Sequence, residues 1–196
     1  NSIATIRTAM ENREELLAYF SNSFSSESRK GEVEAFILPD EPNGYTYDLI
    51  DILLKHGVEV ERASEEFTVR DAYDYRTGTA SSRTFNEGDF VIRTDQPRHV
   101  LINTLMKRNL AIDDSVMYDM STWSAPLAYN LDAAWTERSI GVDLERVSEV
   151  PSVPSGVTNP GAEYAFVIDW DQRHAPKALA RLWDAGYRVR SAMETF

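Results

Sequence analysis

AFILPDEPNGYTYDLIDILLKHGVEVERA, residues 35–63, is the stretch on which the fold turns. AFILP is an apolar run with the length of a buried strand, and PNG after it supplies a turn. YTYDLIDILLKHG then places Leu49, Ile50, Leu53 and Leu54 on one helical face. Gly57 stands where a helix ends on a left-handed residue, a conformation that glycine enters cheaply. VEVERA alternates as a strand does. Strand, helix and strand in this order predict a βαβ unit with parallel strands and a right-handed crossover.

The phrase recurs. GVEVERASEEF at 57–67 is echoed by GYRVRSAMETF at 186–196. Before the echo, YAFVIDW (164–170) reads as a strand and HAPKALARLWDAG (174–186) as a helix, so a second βαβ unit is expected at 164–196 beside the first at 34–67. Leu53 aligns with Leu182, Gly57 with Gly186 and Val60 with Val189. Any βαβ unit supplies much of this pattern. The trailing Ala-x-Glu-x-Phe at constant offset points further, to an internal duplication. The first unit runs on through a polar arm, 68–86, into a strand, GDFVIRT, at 88–94. A true copy would also run on, so the polypeptide is expected to continue past Phe196. Apolar surface and an open edge near Met193 and Phe196 would then favour self-association through the C-terminal region.

Working outward, PRHVLINTLMKRN (97–109) predicts a helix with Val100, Leu101, Leu105 and Met106 as its inner stripe. Ile3, Ile6, Met10, Leu17, Phe20 and Phe24 recur at intervals of three and four, which predicts an N-terminal helix over 3–24. SEVPSVPSGVTNPGAE (148–163) reads as a linker. The expected architecture is α/β: a mostly parallel sheet flanked by helices at 34–196, preceded by a helix and loop at 1–33.

Lys and Arg total 20 against 32 Asp and Glu, a net charge of -12. That balance offers no positive footprint for nucleic acid and disfavours anionic membrane surfaces. The N-terminal stretch has no apolar core of a signal peptide. Cysteine is absent, which removes disulfides, thiolate zinc sites and cysteine nucleophiles.

Chemistry is sparse. His56, His99 and His174 are far apart, have no ligand spacing and read as solvated histidines. No Gly-x-Ser-x-Gly elbow or phosphate-binding glycine loop occurs. Carboxylates remain. Asp40 and Glu41 follow the first strand of one unit, and Asp169 and Asp171 end that of the other. Ligands of doubly wound sheets collect beyond strand carboxyl ends, so these four are the candidate residues for a divalent cation or a basic peptide end. The plainer reading is that acids favour positions before helix N-termini. Trp123, Trp135 and Trp170, with Tyr118 and Tyr129, could form a sugar or peptide platform, though large aromatics mostly fill cores and interfaces.

YDMSTWSAPLAYNLDAAW, FNEGDFVIRTDQP and the opening 35–63 stretch resemble the region downstream of the catalytic domain in large bacterial zinc carboxypeptidase-like proteins of peptidase family M14. That resemblance implies a flavodoxin-like, class I glutamine amidotransferase-like domain. TIRTAMENREELLAYF is similar to the helical segment that joins the peptidase to it. The family's His-x-x-Glu zinc motif and the amidotransferase cysteine are both missing, so no catalytic residue transfers. What the resemblance implies is a non-catalytic companion domain of an exported protein. Its partner is the upstream peptidase domain of the same polypeptide, where any zinc would reside. The alternatives are a free-standing metal-assisted hydrolase using the rim carboxylates, and a carbohydrate- or peptide-binding module.

Overall fold

β1 (Ala35–Leu38) is buried along its whole length. Phe36 and Leu38 enter one apolar cluster, Ala35 and Ile37 another, so the strand is covered on both faces. In the computed structural model, which describes residues 2–25, 32–41, 43–109, 124–153 and 155–192, β1 lies at the centre of a seven-stranded sheet. The other strands are β2 (Glu61–Ala63), β3 (Phe67–Asp74), β4 (Ala80–Phe85), β5 (Phe90–Arg93), β6 (Ala134–Thr136) and β7 (Leu144–Arg146). Their order is β4-β3-β6-β1-β5-β2-β7, and every pairing is antiparallel.

This overturns the expected mostly parallel, flavodoxin-like sheet. β1 and β2 do run in the same direction, as a βαβ unit requires, but β5 fills the slot between them and opposes both. The error lies in what a continuous apolar run means. It signals burial on both faces, a condition commonest in parallel sheets but met here by an antiparallel one.

α3 (Tyr45–Lys55) packs Tyr47, Leu49, Ile50 and Leu53 onto Phe36, Leu38, Phe90 and Ile92. α4 (His99–Met106) adds Ile102 and Met106 to the same cluster. Val100, expected to face inward, is 53% exposed; Leu101 and Leu105 are half-buried at the cluster's margin. α5 (Ala125–Ala128) is a single turn, and α1 (Ser2–Glu11) and α2 (Arg13–Ser23) form the N-terminal helical segment.

The opposite face is lined by Ile37, Ala63, Phe67, Val69, Ala72, Phe85 and Val91, and it is concave. Three strands separate β2 from β3, so a flat sheet would hold them about 19 Å apart. The link from Ala63 to Phe67 is four residue steps, at most about 15 Å. The sheet must therefore curl toward a half-barrel. The chain from β6 to β7 crosses this concave side and packs Ile140, Val142 and Leu144 on it.

β3 and β4 form a hairpin in what was expected to be an irregular arm, 68–86. The signal was present as alternation: Phe67, Val69 and Ala72 are buried, Thr68 and Arg70 between them are exposed, and a bulge falls between Val69 and Ala72. Tyr75 ends the pattern; its hydroxyl donates to the Met106 carbonyl, tying hairpin to helix.

Among the described residues the second expected unit contains only its helix, α6 (Ala175–Asp184). No strand forms over 164–174 or 185–192. Tyr164, Phe166, Val167 and Trp170 are exposed, so the two units do not share a sheet and the expected duplication fails at the strands. What the echo encodes is a helix stop. In α3 the Gly57 N–H donates to Leu54 O (2.9 Å) and the Val58 N–H to Leu53 O (3.0 Å). In α6 the Gly186 N–H donates to Trp183 O (2.9 Å) and the Tyr187 N–H to Leu182 O (2.9 Å). Both are Schellman caps on left-handed glycines, φ 72° and 80°. Met193 and Phe196, to which the expected self-association was tied, lie outside the described residues.

Gly57→Ala should therefore lower unfolding stability by about 1–2 kcal/mol, read from the urea midpoint. Gly186→Ala, with the same backbone strain but no sheet strand beyond it among the described residues, should leave that midpoint unchanged. Equal losses would mean that α6 melts together with the sheet.

Candidate functional site

Beyond the carboxyl end of β1 the chain leaves the sheet at Pro39, and Asp40 enters a closed polar network. The Asp40 N–H donates to Asp89 Oδ1 at 2.9 Å, and Asp89 Oδ2 accepts the Asn86 N–H at 2.9 Å. Asp89 is buried and so serves as a double acceptor for the turn before β5. Asp40 Oδ1 accepts from the Tyr47 hydroxyl at 2.6 Å, and Oδ2 accepts from the Arg62 guanidinium. Arg62 Nε donates to Gly88 O at 3.0 Å, and its guanidinium lies 5.8 Å from the centre of the Phe90 ring. β1, α3, β2 and β5 each contribute to this network or abut it.

The other sequence candidates are differently placed. Glu41 Oε2 accepts from Asn43 Nδ2 at 2.7 Å, while Asn43 Oδ1 accepts the Tyr45 N–H at 3.0 Å at the start of α3. Asp169 and Asp171 are exposed. Their segment does approach the first unit: the Arg173 N–H donates to Asn43 O at 2.8 Å, and Arg173 pairs with Asp48 and stands over the Tyr45 ring. The loop before α6 is thus pinned to the start of α3, but Asp40 is spent on Arg62 and Tyr47. Among the described residues no group of three or more His, Asp or Glu side chains is placed to hold a metal.

The histidines stay apart. His56 is exposed at the end of α3, and His174 is exposed before α6. His99 is not solvated as expected; it is buried, with Nδ1 3.3 Å from Gln96 O. Gln96 is itself buried and mimics a peptide unit. Its Oε1 accepts the Glu59 N–H at 2.6 Å, and its Nε2 donates to Glu59 O and Arg93 O. Among the described residues the histidines do not come together as zinc ligands.

Of the aromatic candidates, Trp135 is half-buried and stacks on Tyr73, ring centres 5.1 Å apart. Tyr75 meets its edge at 5.1 Å. Tyr129 is partly buried, Trp170 is exposed, and Tyr118 and Trp123 lie outside the described residues. Tyr73, which the sequence reading passed over, lines a cleft of about 360 Å³ with Trp135, Lys107, Arg108 and Glu137. A second cleft, about 400 Å³, separates the start of β3 from residues 138–142. On its wall Arg138 Nε donates to Asp71 Oδ2 at 2.8 Å, and Asp71 Oδ1 is sealed from solvent without a partner.

The Tyr47 phenol is pushed up to about 12, first by burial, then by the hydrogen bond to Asp40 and that residue's charge. The folded state holds this proton more tightly than the unfolded chain. The stability it contributes is fully present below pH 10 and is lost as the pH rises to about 12. Burial raises Tyr75 in the same direction. Denaturation in alkaline buffers should show a fall across this window, and Tyr47→Phe should make it shallower. An unchanged slope in the variant would dissociate Tyr47 from the Asp40 network.

No family model matches the chain, and neither a curated protein nor a solved structure is significantly similar to it. Among the described residues no helix is long and apolar enough to cross a membrane.

Proposed function

We infer that the chain is a non-catalytic companion domain of a larger exported zinc carboxypeptidase-like protein, packed against the peptidase domain of the same polypeptide. The observation that supports this reading is the apolar surface of the C-terminal unit. Tyr164, Phe166, Val167, Trp170, Trp183 and Tyr187 are all more than half exposed, along a segment pinned to the sheet domain at Arg173. Aromatic surface on this scale suits coverage by another protein surface. The rim carboxylates favour the reading too: Asp40 and Asp89 are satisfied by Arg62, Tyr47 and backbone amides, which suits a structural role better than turnover.

The purified chain should hydrolyse neither carboxypeptidase substrates nor glutamine, with or without added zinc. Activity that scales with protein through repurification would overturn the reading. A longer polypeptide carrying a peptidase domain before Asn1 should shield Trp170 and Trp183 from acrylamide quenching. Quenching as in the isolated chain would count equally against it.

A further inference from the structure

The N-terminal segment carries a coiled-coil seam. Ile3, Met10, Leu17 and Phe24 are spaced by seven residues, and Ile6, Arg13 and Phe20 by seven in the intervening register. Together they form the a and d positions of three heptads, a 3.5-residue repeat that keeps one stripe facing a partner helix. α1 and α2 provide a nearly continuous rod. The ladder runs through the loosened turn at Asn12, whose N–H donates to Thr8 O (3.0 Å) and whose carbonyl accepts the Leu16 N–H (3.0 Å). No residue of either helix is buried; Ile3, Ile6, Met10, Leu17 and Phe20 are 61–76% exposed. Phe24 differs. It is only 37% exposed and lies under the Arg98 guanidinium, so the domain takes up this last seam position.

We propose that this seam is covered by the same helix of a second copy, in antiparallel orientation. Charge chooses both the occupant and the direction. In a parallel pair Arg13 would face Arg13 in the core, and two chains, each of net charge -12, would set their acidic domains at the same end. Antiparallel, Ile3 meets Phe20, Ile6 meets Leu17, and Met10 meets Arg13, whose stem covers apolar surface while its head reaches solvent. Arg7 and Glu14, both at e positions, then lie beside each other's counterparts with opposite sign. The seam from Ile3 to Phe20 is about 27 Å long, which holds the two acidic domains at opposite ends. A membrane is the poorer occupant, because the helix adds Glu11, Glu14 and Glu15 against Arg7 and Arg13.

Sedimentation equilibrium of the full chain should show a concentration-dependent rise from 22.2 kDa to twice that mass. Leu17→Glu should abolish the rise, and Arg13→Leu should tighten dimerisation by about tenfold or more. The seam contributes nothing to the sheet core, so thermal melting of the sheet should be unchanged in both variants, which separates lost pairing from lost fold. The chain has no cysteine, so Ser2→Cys and Ser23→Cys proteins can be mixed under oxidising conditions. A disulfide between the two different variants is expected. Predominant Ser2→Cys homodimers would overturn the antiparallel arrangement. A chain monomeric at every concentration, a Leu17→Glu variant that still dimerises, or sedimentation with phosphatidylserine-containing vesicles in place of dimerisation would overturn the proposal itself.

Discussion

Phe36→Ala should lower unfolding stability by about 3–5 kcal/mol, a large share of the roughly 5–15 kcal/mol that holds a domain of ordinary size. Phe36 is 1% exposed at the middle of β1, between β5 and β6. Its ring belongs to the cluster formed with α3 and α4, so truncation opens a cavity that rigid neighbours on both sides prevent from collapsing. Urea denaturation would read the loss as a lower midpoint with an unchanged slope. Ile37→Val, one residue away on the concave face, removes only a methylene and should cost about 1 kcal/mol. A Phe36→Ala cost no greater than that of Ile37→Val would mean that the α3 face is not the main core.

Asp89→Ala should cost about 3–5 kcal/mol although it removes no apolar contact. Two backbone donors, the N–H groups of Asp40 and Asn86, lose their acceptor in a site too buried for water to replace it freely. Asp89→Asn keeps one acceptor oxygen and turns an amide N–H₂ toward the other donor, so about half the loss should remain. The two substitutions can be ranked by thermal melting. A neutral Asp89→Ala would show that the turn before β5 does not need its carboxylate.

The sequence made individual elements legible far better than their pairing. β1, α3 and the glycine cap at Gly57 follow from local rules: an apolar run, a 3.6-residue stripe and a left-handed stop. β5 was also visible as an apolar run, but nothing in FVIR states that it slides between β1 and β2. Pairing is a property of two distant segments, and hydrophobic periodicity reports only one at a time. The same limit explains 164–170. YAFVIDW has the composition of a strand, yet it joins none of the described strands, and composition alone does not supply a pairing partner. Asp40 was correctly singled out as a residue beyond a strand end. Its saturation could not be foreseen, because Arg62 and Tyr47 reach it only once β2 and α3 are folded. Asp89 was passed over because its importance lies in the backbone amides it receives, which no side-chain motif records.

The neighbours of β1 have a consequence for biosynthesis. β5 and β6, which flank it, are both made later, and β6 follows it by about a hundred residues. A ribosome working from the N-terminus therefore releases a fully apolar strand long before either partner exists. α3 can cover one face of it early, but the concave face must wait. At about 5–20 residues per second this interval lasts several seconds, ample time for wrong contacts. Closure of the half-barrel is a late, long-range event, and such topologies fold slowly. The nascent chain, rather than the finished protein, is the form most exposed to aggregation and most in need of a chaperone.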